Sequence, residues 1–367
     1  MSIGIMSGTS LDGIDISLIK SDGLKQIKPS YNITYKFSQQ FKNDINFLIK
    51  DVNKSFSNDF LRSKSYVSLE RKMNIFLLEK IQCFIKKFQI NISHIDVIGL
   101  HGQTIIHKPH KKISIQIGSA NFLSNALNLK VVTNFRNADI ISGGQGAPLV
   151  PIFHKAIFSQ KKENISVVNI GGISNLTWIG KNGDLISTDI GPGNVLIDQF
   201  CMKFFNKPFD KDGKMAKKGK VNDTLIKKWS NYSFTKMKTP KSFDNFYFKL
   251  DDFIGSTDLV DINLLSSLTM LTAKLIHNSE KLFPKKTNKW IICGGGALNL
   301  TLVQYLKTLI NDLKVSDDYE WDSRFIESQA FAYLAIRKLK NLPSTFKSTT
   351  GVKEPTVCGD LVFKNDN

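Results

Sequence analysis

Two stretches of the chain share one pattern, in which an apolar run leads through a glycine-rich turn to a run of alternating apolar and polar residues. The first covers residues 3–18 with its turn at 7–13, and the second covers residues 167–179 with its turn at 171–174. Alternation is typical of β-strands, and glycine, serine and aspartate favour the turn between them. The sequence therefore predicts two similar hairpins, one opening each half of the protein.

Helices and strands alternate after each hairpin. Periodicity predicts helices at 69–88, 119–127, 264–283 and 300–313 and strands at 95–100, 113–117, 131–134 and 290–293. Residues 210–258, rich in Lys, Phe and Asp, are interpreted as irregular surface with some helix. This alternation predicts an α/β fold, and the repeat places the boundary between the halves near residue 138.

Composition describes a folded protein of about two domains, at roughly 150 residues per domain. The 367 residues are 41% hydrophobic and 22% charged, close to globular averages. No apolar run reaches the roughly 18 residues that span a bilayer, and the N-terminus lacks the basic and apolar regions of a signal peptide. We expect a cytoplasmic protein without a membrane partner.

The formal net charge of +18 raises the possibility of nucleic-acid binding, because clustered cations neutralise phosphates. Only 5 of the 50 basic residues are arginines, and the lysines are spread along the chain without a basic stripe interleaved with aromatics. We therefore expect no nucleic-acid partner. Whether the charge is functional or reflects genome composition stays open.

Glycine-rich turns are candidates for phosphate binding, because glycine lets backbone N–H groups approach phosphate oxygens. Besides the two hairpin turns, a third glycine turn at 294–296 follows a predicted strand. One such turn alone would be interpreted as a tight hairpin, but three together favour a bound nucleotide. Neither the P-loop pattern nor the dinucleotide fingerprint is present.

Several ordered segments resemble the anhydro-N-acetylmuramic acid kinases, which share the fold of actin, Hsp70 and hexokinase. The matching segments are GIMSGTSLDGID at 4–15, HGQT at 101–104, NFRNAD at 134–139, GGQGAPLVP at 143–151, NIGGISNL at 169–176, DIGPGN at 189–194, CGGGALN at 293–299 and ESQAFA at 327–332. They span most of the chain. Two segments depart from the family pattern. Phe243 and the residues after it replace the expected continuation of Pro240-Lys241-Ser242, and Val357-Cys358-Gly359 departs from the glycine-rich ending expected after Thr349-Thr350-Gly351.

The resemblance implies an α/β fold with two similar lobes around a central nucleotide cleft. The expected lobes are residues 1–138, with the phosphate hairpin at 3–20, and residues 139–339; whether 340–367 rejoin the first lobe is left open. The expected ATP-binding residues are Gly8, Thr9, Ser10, Leu11, Asp12, Gly13, Ile14, Asp15, Gly171, Gly172, Gly294, Gly295 and Gly296. Mg²⁺ accompanies ATP in phosphoryl transfer, and Asp12 or Asp15 could hold it, although either could simply cap its turn.

The family reaction opens a sugar in which one oxygen joins C1 and C6, and it phosphorylates O6, as part of peptidoglycan recycling. Asp189 matches the family's general base and Glu327 resembles a second active-site carboxylate. The resemblance assigns sugar binding to His101, Gln103, Arg136 and Asp139. Arg136 suits the lactyl carboxylate of muramic acid, since its planar fork binds carboxylates through two bonds, but an ion pair with Asp139 is the alternative.

Two other functions remain open at this stage. One is another sugar or polyol kinase of the same fold, since fold alone does not decide function. The second is a non-catalytic ATP-dependent protein that binds a partner, which would not need a base at Asp189. The expected partners are ATP and a small amino sugar, and we leave open whether the chain forms a homodimer.

Overall fold

The computed structural model describes residues 1–8, 11–54, 56–160, 162–243, 247–255 and 261–363, so the predicted ATP ligands Thr9 and Ser10 lie outside the described residues. The strands are β1 Ser2–Ser7, β2 Gly13–Ser21, β3 Ile27–Lys36, β4 Val97–Lys108, β5 Ile113–Ile117, β6 Val131–Thr133, β7 Ile165–Ile170, β8 Ile173–Ile179, β9 Leu185–Pro192, β10 Lys289–Cys293, β11 Leu313–Val315 and β12 Asp360–Val362. The helices are α1 Gln39–Lys54, α2 Lys64–Lys87, α3 Ala120–Leu127, α4 Asn137–Ile141, α5 Pro151–Phe158, α6 Val195–Phe205, α7 Asp223–Trp229, α8 Leu250–Ile254, α9 Ile262–Asn278, α10 Leu300–Leu309 and α11 Ile326–Leu339. Across the described residues, no helix combines the length and apolarity that crossing a membrane requires.

Two compact units divide the chain. The first comprises Met1–Ile157 and Glu327–Asn367, and the second comprises Phe158–Ile326. These limits differ from the predicted boundaries at 138 and 339. The loop after α4 belongs to the first unit because Gln145 N donates to Thr350 O at 2.8 Å, and helix α11 belongs there because it packs on that unit's sheet.

The first unit is built on a seven-stranded sheet in the order β12, β6, β4, β1, β2, β3, with β5 beside β4. Strands β1 to β3 are antiparallel, whereas β4 runs parallel to β1 and to β6. Helix α11 lies very close to this sheet: a Cβ on Gly4 would be 1.9 Å from Ser328 O, and one on Gly99 would be 2.1 Å from Phe331 O. Glycine is therefore required at both positions.

The second unit repeats this topology in a five-stranded sheet ordered β11, β10, β7, β8, β9. Strands β7 to β9 are antiparallel, and β10 runs parallel to β7 and β11. The five strands take the same positions as β6, β4, β1, β2 and β3 of the first unit. The predicted α/β class and the predicted pair of similar halves, each opened by a hairpin, are thus confirmed.

Two sequence-based expectations need correction. The helix predicted at 300–313 ends at Leu309, because Leu313 pairs with Trp290 as an edge strand. Residues 210–258 were expected at the surface, but their described part buries large side chains against the second unit's sheet, namely Trp229, Phe234, Phe248 and Phe253. Burial of such aromatic area contributes strongly to a core, so this segment is structural.

Candidate active site

In the second unit, two glycine turns lie side by side at the carboxyl ends of parallel strands. Asn169 on β7 pairs with Cys293 on β10, and each strand is followed by its turn. The turns are in close contact: a Cβ on Gly294 would be 2.2 Å from Asn169 Oδ1, and one on Gly296 would be 2.3 Å from Ile170 Cγ2. The carboxyl edge of parallel strands is where α/β proteins bind ligands.

The outer faces of these turns are open. A Cβ on Gly295 would meet nothing within 4 Å, and one on Gly171 would meet only Ile173 O at 3.5 Å. Glycine at these two positions is therefore not required by the packing of the protein itself. The open backbone is suited to close approach by a ligand.

The strand that carries Asp189 is fastened to the first of these turns. Gly193 N donates to Gly172 O and Asn194 N donates to Gly171 O, both at 2.8 Å. A Cβ on Gly193 would be 2.4 Å from Gly171 O, so only glycine fits there. These bonds attach the end of the strand that carries Asp189 to the turn of Gly171 and Gly172.

Asp189 is 7% exposed and is held by the segment that follows Pro240. Phe243 N donates to Asp189 Oδ2 at 2.8 Å, and Asp189 N donates to the carbonyl oxygen of Lys241 at 3.0 Å. Lys241 is itself buried, and its Nζ donates to Phe234 O at 2.7 Å. Burial lowers the pKa of Lys241, while the charge of Asp189 acts in the opposite direction.

Lys241 was not among the residues predicted for the site, because nothing local in the sequence indicates that its side chain is buried. The Pro240-Lys241-Ser242 match to the family was the available signal. Residues 244–246 of that segment lie outside the described residues.

In the first unit, the turn between β1 and β2 is the predicted phosphate turn. Leu11 adopts a left-handed φ of 57° and its N–H donates to Gly8 O at 3.2 Å. Leu11 and Ile14 turn their side chains into the core, so any contact they make with ATP is through the backbone. A Cβ on Gly13 would be 2.1 Å from Tyr35 O, which makes this glycine a packing requirement.

The two carboxylates of this turn differ in their surroundings. Asp12 has a 68% exposed side chain and an ion pair with Lys42 at 3.4 Å. Asp15 Oδ1 accepts a bond from Thr34 Oγ1 at 2.5 Å. No group of three metal-ligating side chains occurs among the described residues. Mg²⁺ in kinases is commonly held by one or two carboxylates together with substrate phosphates. The carboxylate oxygens of Asp12 and Asp15 are therefore donors of the kind that fits the ion.

Two of the predicted sugar-binding residues, His101 and Arg136, are hydrogen-bonded to each other, and Gln103 is fully buried two positions further along β4. Gln103 pairs with Ser7, whose hydroxyl donates to Gln103 Oε1 at 2.5 Å. His101 Nε2 accepts from Arg136 Nε at 3.1 Å and from Nη2 at 2.9 Å. Burial and the Arg136 charge hold the pKa of His101 well below its ordinary value. The imidazole is thus neutral and can accept from the guanidinium.

Asp139 and Glu327 are also placed in the first unit. Asp139 is fully buried, and its carboxylate accepts from Gly146 N at 2.6 Å and from Thr350 Oγ1 at 2.5 Å. Asp139 and Arg136 both bond to Gly146, the carboxylate to its N–H and the guanidinium to its carbonyl oxygen. Glu327 lies half-buried in the first turn of α11, a position that the helix dipole favours, and its neighbour Ser328 bonds to Ser17 at 2.6 Å.

Comparison with known proteins identifies the family. The family model described as anhydro-N-acetylmuramic acid kinase matches residues 1–364. Proteins of that name from Pelagibacter ubique and Rhodopseudomonas palustris are 39% and 36% identical, each match covering 98% of both chains. Among solved structures, the component A of (R)-2-hydroxyglutaryl-CoA dehydratase from Acidaminococcus fermentans is 11% identical with a TM-score of 0.46, over 92% of this chain and 98% of that chain. The chain belongs to the anhydro-N-acetylmuramic acid kinase family.

Proposed function

We propose that this chain, a phosphotransferase by its family, converts 1,6-anhydro-N-acetylmuramic acid, ATP and water into N-acetylmuramic acid 6-phosphate and ADP. The reaction belongs to peptidoglycan recycling and would take place in the cytoplasm. The observation that carries the proposal is a pair of hydrogen bonds. Gly193 and Asn194, just after the strand that carries Asp189, donate them to the turn of Gly171 and Gly172. A general base and a phosphate-binding turn held in one unit suit a reaction that couples water attack to phosphoryl transfer.

ATP would bind along the open glycine turns. The residues that would contact ATP through their backbone are Gly8 to Asp15, Gly171, Gly172 and Gly294 to Gly296, because glycine lets a phosphate come close to the main chain. Asp12 and Asp15 are the residues that would hold Mg²⁺. When bound, the ion neutralises charge on the transferring phosphoryl group.

Asp189 would act as the general base. It takes a proton from water as the water oxygen bonds to C1 and the bond between C1 and O6 breaks. O6 then bonds to the γ-phosphorus, and the bond from that phosphorus to the bridging oxygen breaks, releasing ADP. The Phe243 N–H holds one carboxylate oxygen, Oδ2, at 2.8 Å, which fixes the orientation of the group. Glu327 is the second candidate catalytic carboxylate.

Arg136 would bind the lactyl carboxylate of the sugar, with His101 and Gln103 lining the same site. The guanidinium already makes bonds to the His101 ring and to Gly146 O at 2.7 Å, so its plane is fixed. A preorganised arginine fork binds a carboxylate with little loss of side-chain freedom. This feature favours an acidic sugar over the polyols and neutral sugars of the alternative kinases.

Replacement of Asp189 tests the assignment of the base. Removing a general base commonly costs about 10²- to 10⁴-fold in rate, and we expect Asp189→Asn to lose at least that in kcat while ATP affinity, measured by calorimetry, is retained. Asp184→Asn, in the turn before β9, is the control and should keep wild-type turnover. Substantial turnover by Asp189→Asn would remove this residue from the reaction.

A further inference from the structure

Asp139 is a buried carboxylate whose partners come from two separate segments of the chain. Its exposed fraction is 0%, Oδ1 accepts from Gly146 N at 2.6 Å, and Oδ2 accepts from the Thr350 hydroxyl at 2.5 Å. A buried charge is costly unless it is hydrogen-bonded. Here the bonds come from the loop after α4 and from the C-terminal segment.

Thr350 and Asp139 also accept hydrogen bonds from the backbone of that loop. Thr350 O accepts from Gln145 N at 2.8 Å, and Asp139 O accepts from Gly144 N at 2.9 Å. A Cβ on Gly144 would be 2.2 Å from Asp139 Oδ1, so the loop wraps directly around the carboxylate. Residues 144–146 are thus fixed by Asp139 together with Thr350.

The loop in turn fixes Arg136. Gly146, which presents its N–H to Asp139, presents its carbonyl oxygen to Arg136 Nη1 at 2.7 Å. The other side of the guanidinium bonds to His101 Nε2. Movement of Gly146 would therefore rotate the arginine fork about its contact with His101.

We propose that Thr350 and Asp139 are positioning residues for the anhydro sugar, acting through Gly146 to aim Arg136 at the sugar carboxylate. Asp139 then contributes to sugar recognition without touching the sugar. This inference rests on the proposed role of Arg136. It also assigns a function to the C-terminal segment, because Thr350 in that segment supplies the hydroxyl that bonds to Asp139.

Thr350→Val removes the hydroxyl and keeps the shape of the side chain. A small misplacement of a binding group can cost up to about 10²-fold, and we expect the KM for the anhydro sugar to rise roughly tenfold or more. The KM for ATP and kcat at saturating sugar should stay near wild type. Thr350→Ser restores the hydroxyl and should restore the KM. Thr350→Ala supplies the same test if the valine variant does not fold.

Thr349 offers a matched control, because it is 1% exposed and its hydroxyl donates to Phe346 O at 3.0 Å within its own turn. Thr349→Val should leave the sugar KM unchanged. An equal rise in Thr349→Val and Thr350→Val would overturn the inference, because it would indicate general damage to the segment.

Arg136→Gln separates the inference from the function on which it rests. A raised sugar KM in Arg136→Gln with a wild-type KM in Thr350→Val would overturn the positioning role and keep the role of Arg136. An unchanged KM in Arg136→Gln would remove the proposed carboxylate contact itself.

Discussion

At the scale of single residues, five glycines at these turns of the second unit fall into two classes. Gly193, Gly294 and Gly296 are required because a Cβ would overlap neighbouring atoms at 2.2 to 2.4 Å. Gly171 and Gly295 have room for a side chain in the protein alone. The first class maintains the turns, and the second leaves open the outer surface on which we propose that ATP binds.

A pair of alanine substitutions tests this division. Gly171→Ala should change the free energy of unfolding by less than about 1 kcal/mol but raise the KM for ATP, because its methyl group occupies ligand space. Gly193→Ala should destabilise the protein by about 1–3 kcal/mol, the usual cost of overpacking. Thermal unfolding and steady-state kinetics measure both effects. Unaltered ATP kinetics in Gly171→Ala would show that nothing binds at this turn.

Asp189 and Arg136 could be put forward from the sequence because the segments that contain them, DIGPGN at 189–194 and NFRNAD at 134–139, resemble the family, and their roles stay predictions. The segments could not indicate that Asp139 is fully buried. That depends on Thr350, more than 200 positions away in the chain, and no local pattern reports such a contact.

At the scale of elements, the segment 241–243 acts as an additional edge along β9. Lys241 N donates to Thr188 Oγ1 at 3.1 Å, Asp189 N donates to Lys241 O, and Phe243 N donates to Asp189 Oδ2. The buried ammonium of Lys241 anchors the segment at Phe234 O. The orientation of Asp189 therefore depends on a segment in which Lys241 and Ser242 match the family pattern and Phe243 departs from it.

Lys241→Met tests that dependence while retaining the length of the side chain. Without the anchor at Phe234, we expect the segment to shift and kcat to fall roughly 10- to 100-fold, as misplaced catalytic groups do. The affinity for ATP should be unchanged in calorimetry. Lys238→Met, at an exposed position nearby, is the control. A folded Lys241→Met with wild-type kcat would show that the segment does not orient the base.

Elements with a regular period were predictable from sequence, and those defined by long-range pairing were not. Alternation located both hairpins, and the helix predicted at 264–283 appears as α9, Ile262–Asn278. The helix predicted at 300–313 extended beyond its observed end at Leu309, because Leu313 fits an apolar helix face as well as it fits a strand. Its pairing with Trp290 decides the outcome.

At the scale of the whole molecule, the two units have equivalent strand orders, as the repeated hairpin pattern predicted. Their limits were less predictable, because α11 follows the second unit in sequence and packs on the first unit's sheet through Gly4 and Gly99. Membership of the kinase family applies to almost the whole chain, since the family match covers residues 1–364.

The most direct test of the central claim follows the oxygen of water. The wild-type protein is given 1,6-anhydro-N-acetylmuramic acid, ATP and Mg²⁺ in oxygen-18 water, and the products are analysed by mass spectrometry before the anomeric oxygen exchanges with solvent. We expect ADP and a 6-phosphosugar that carries the label at C1, with none at O6 or in the phosphate. A 6-phosphosugar without label at C1, or label in released phosphate without sugar product, would contradict coupled ring opening and phosphorylation.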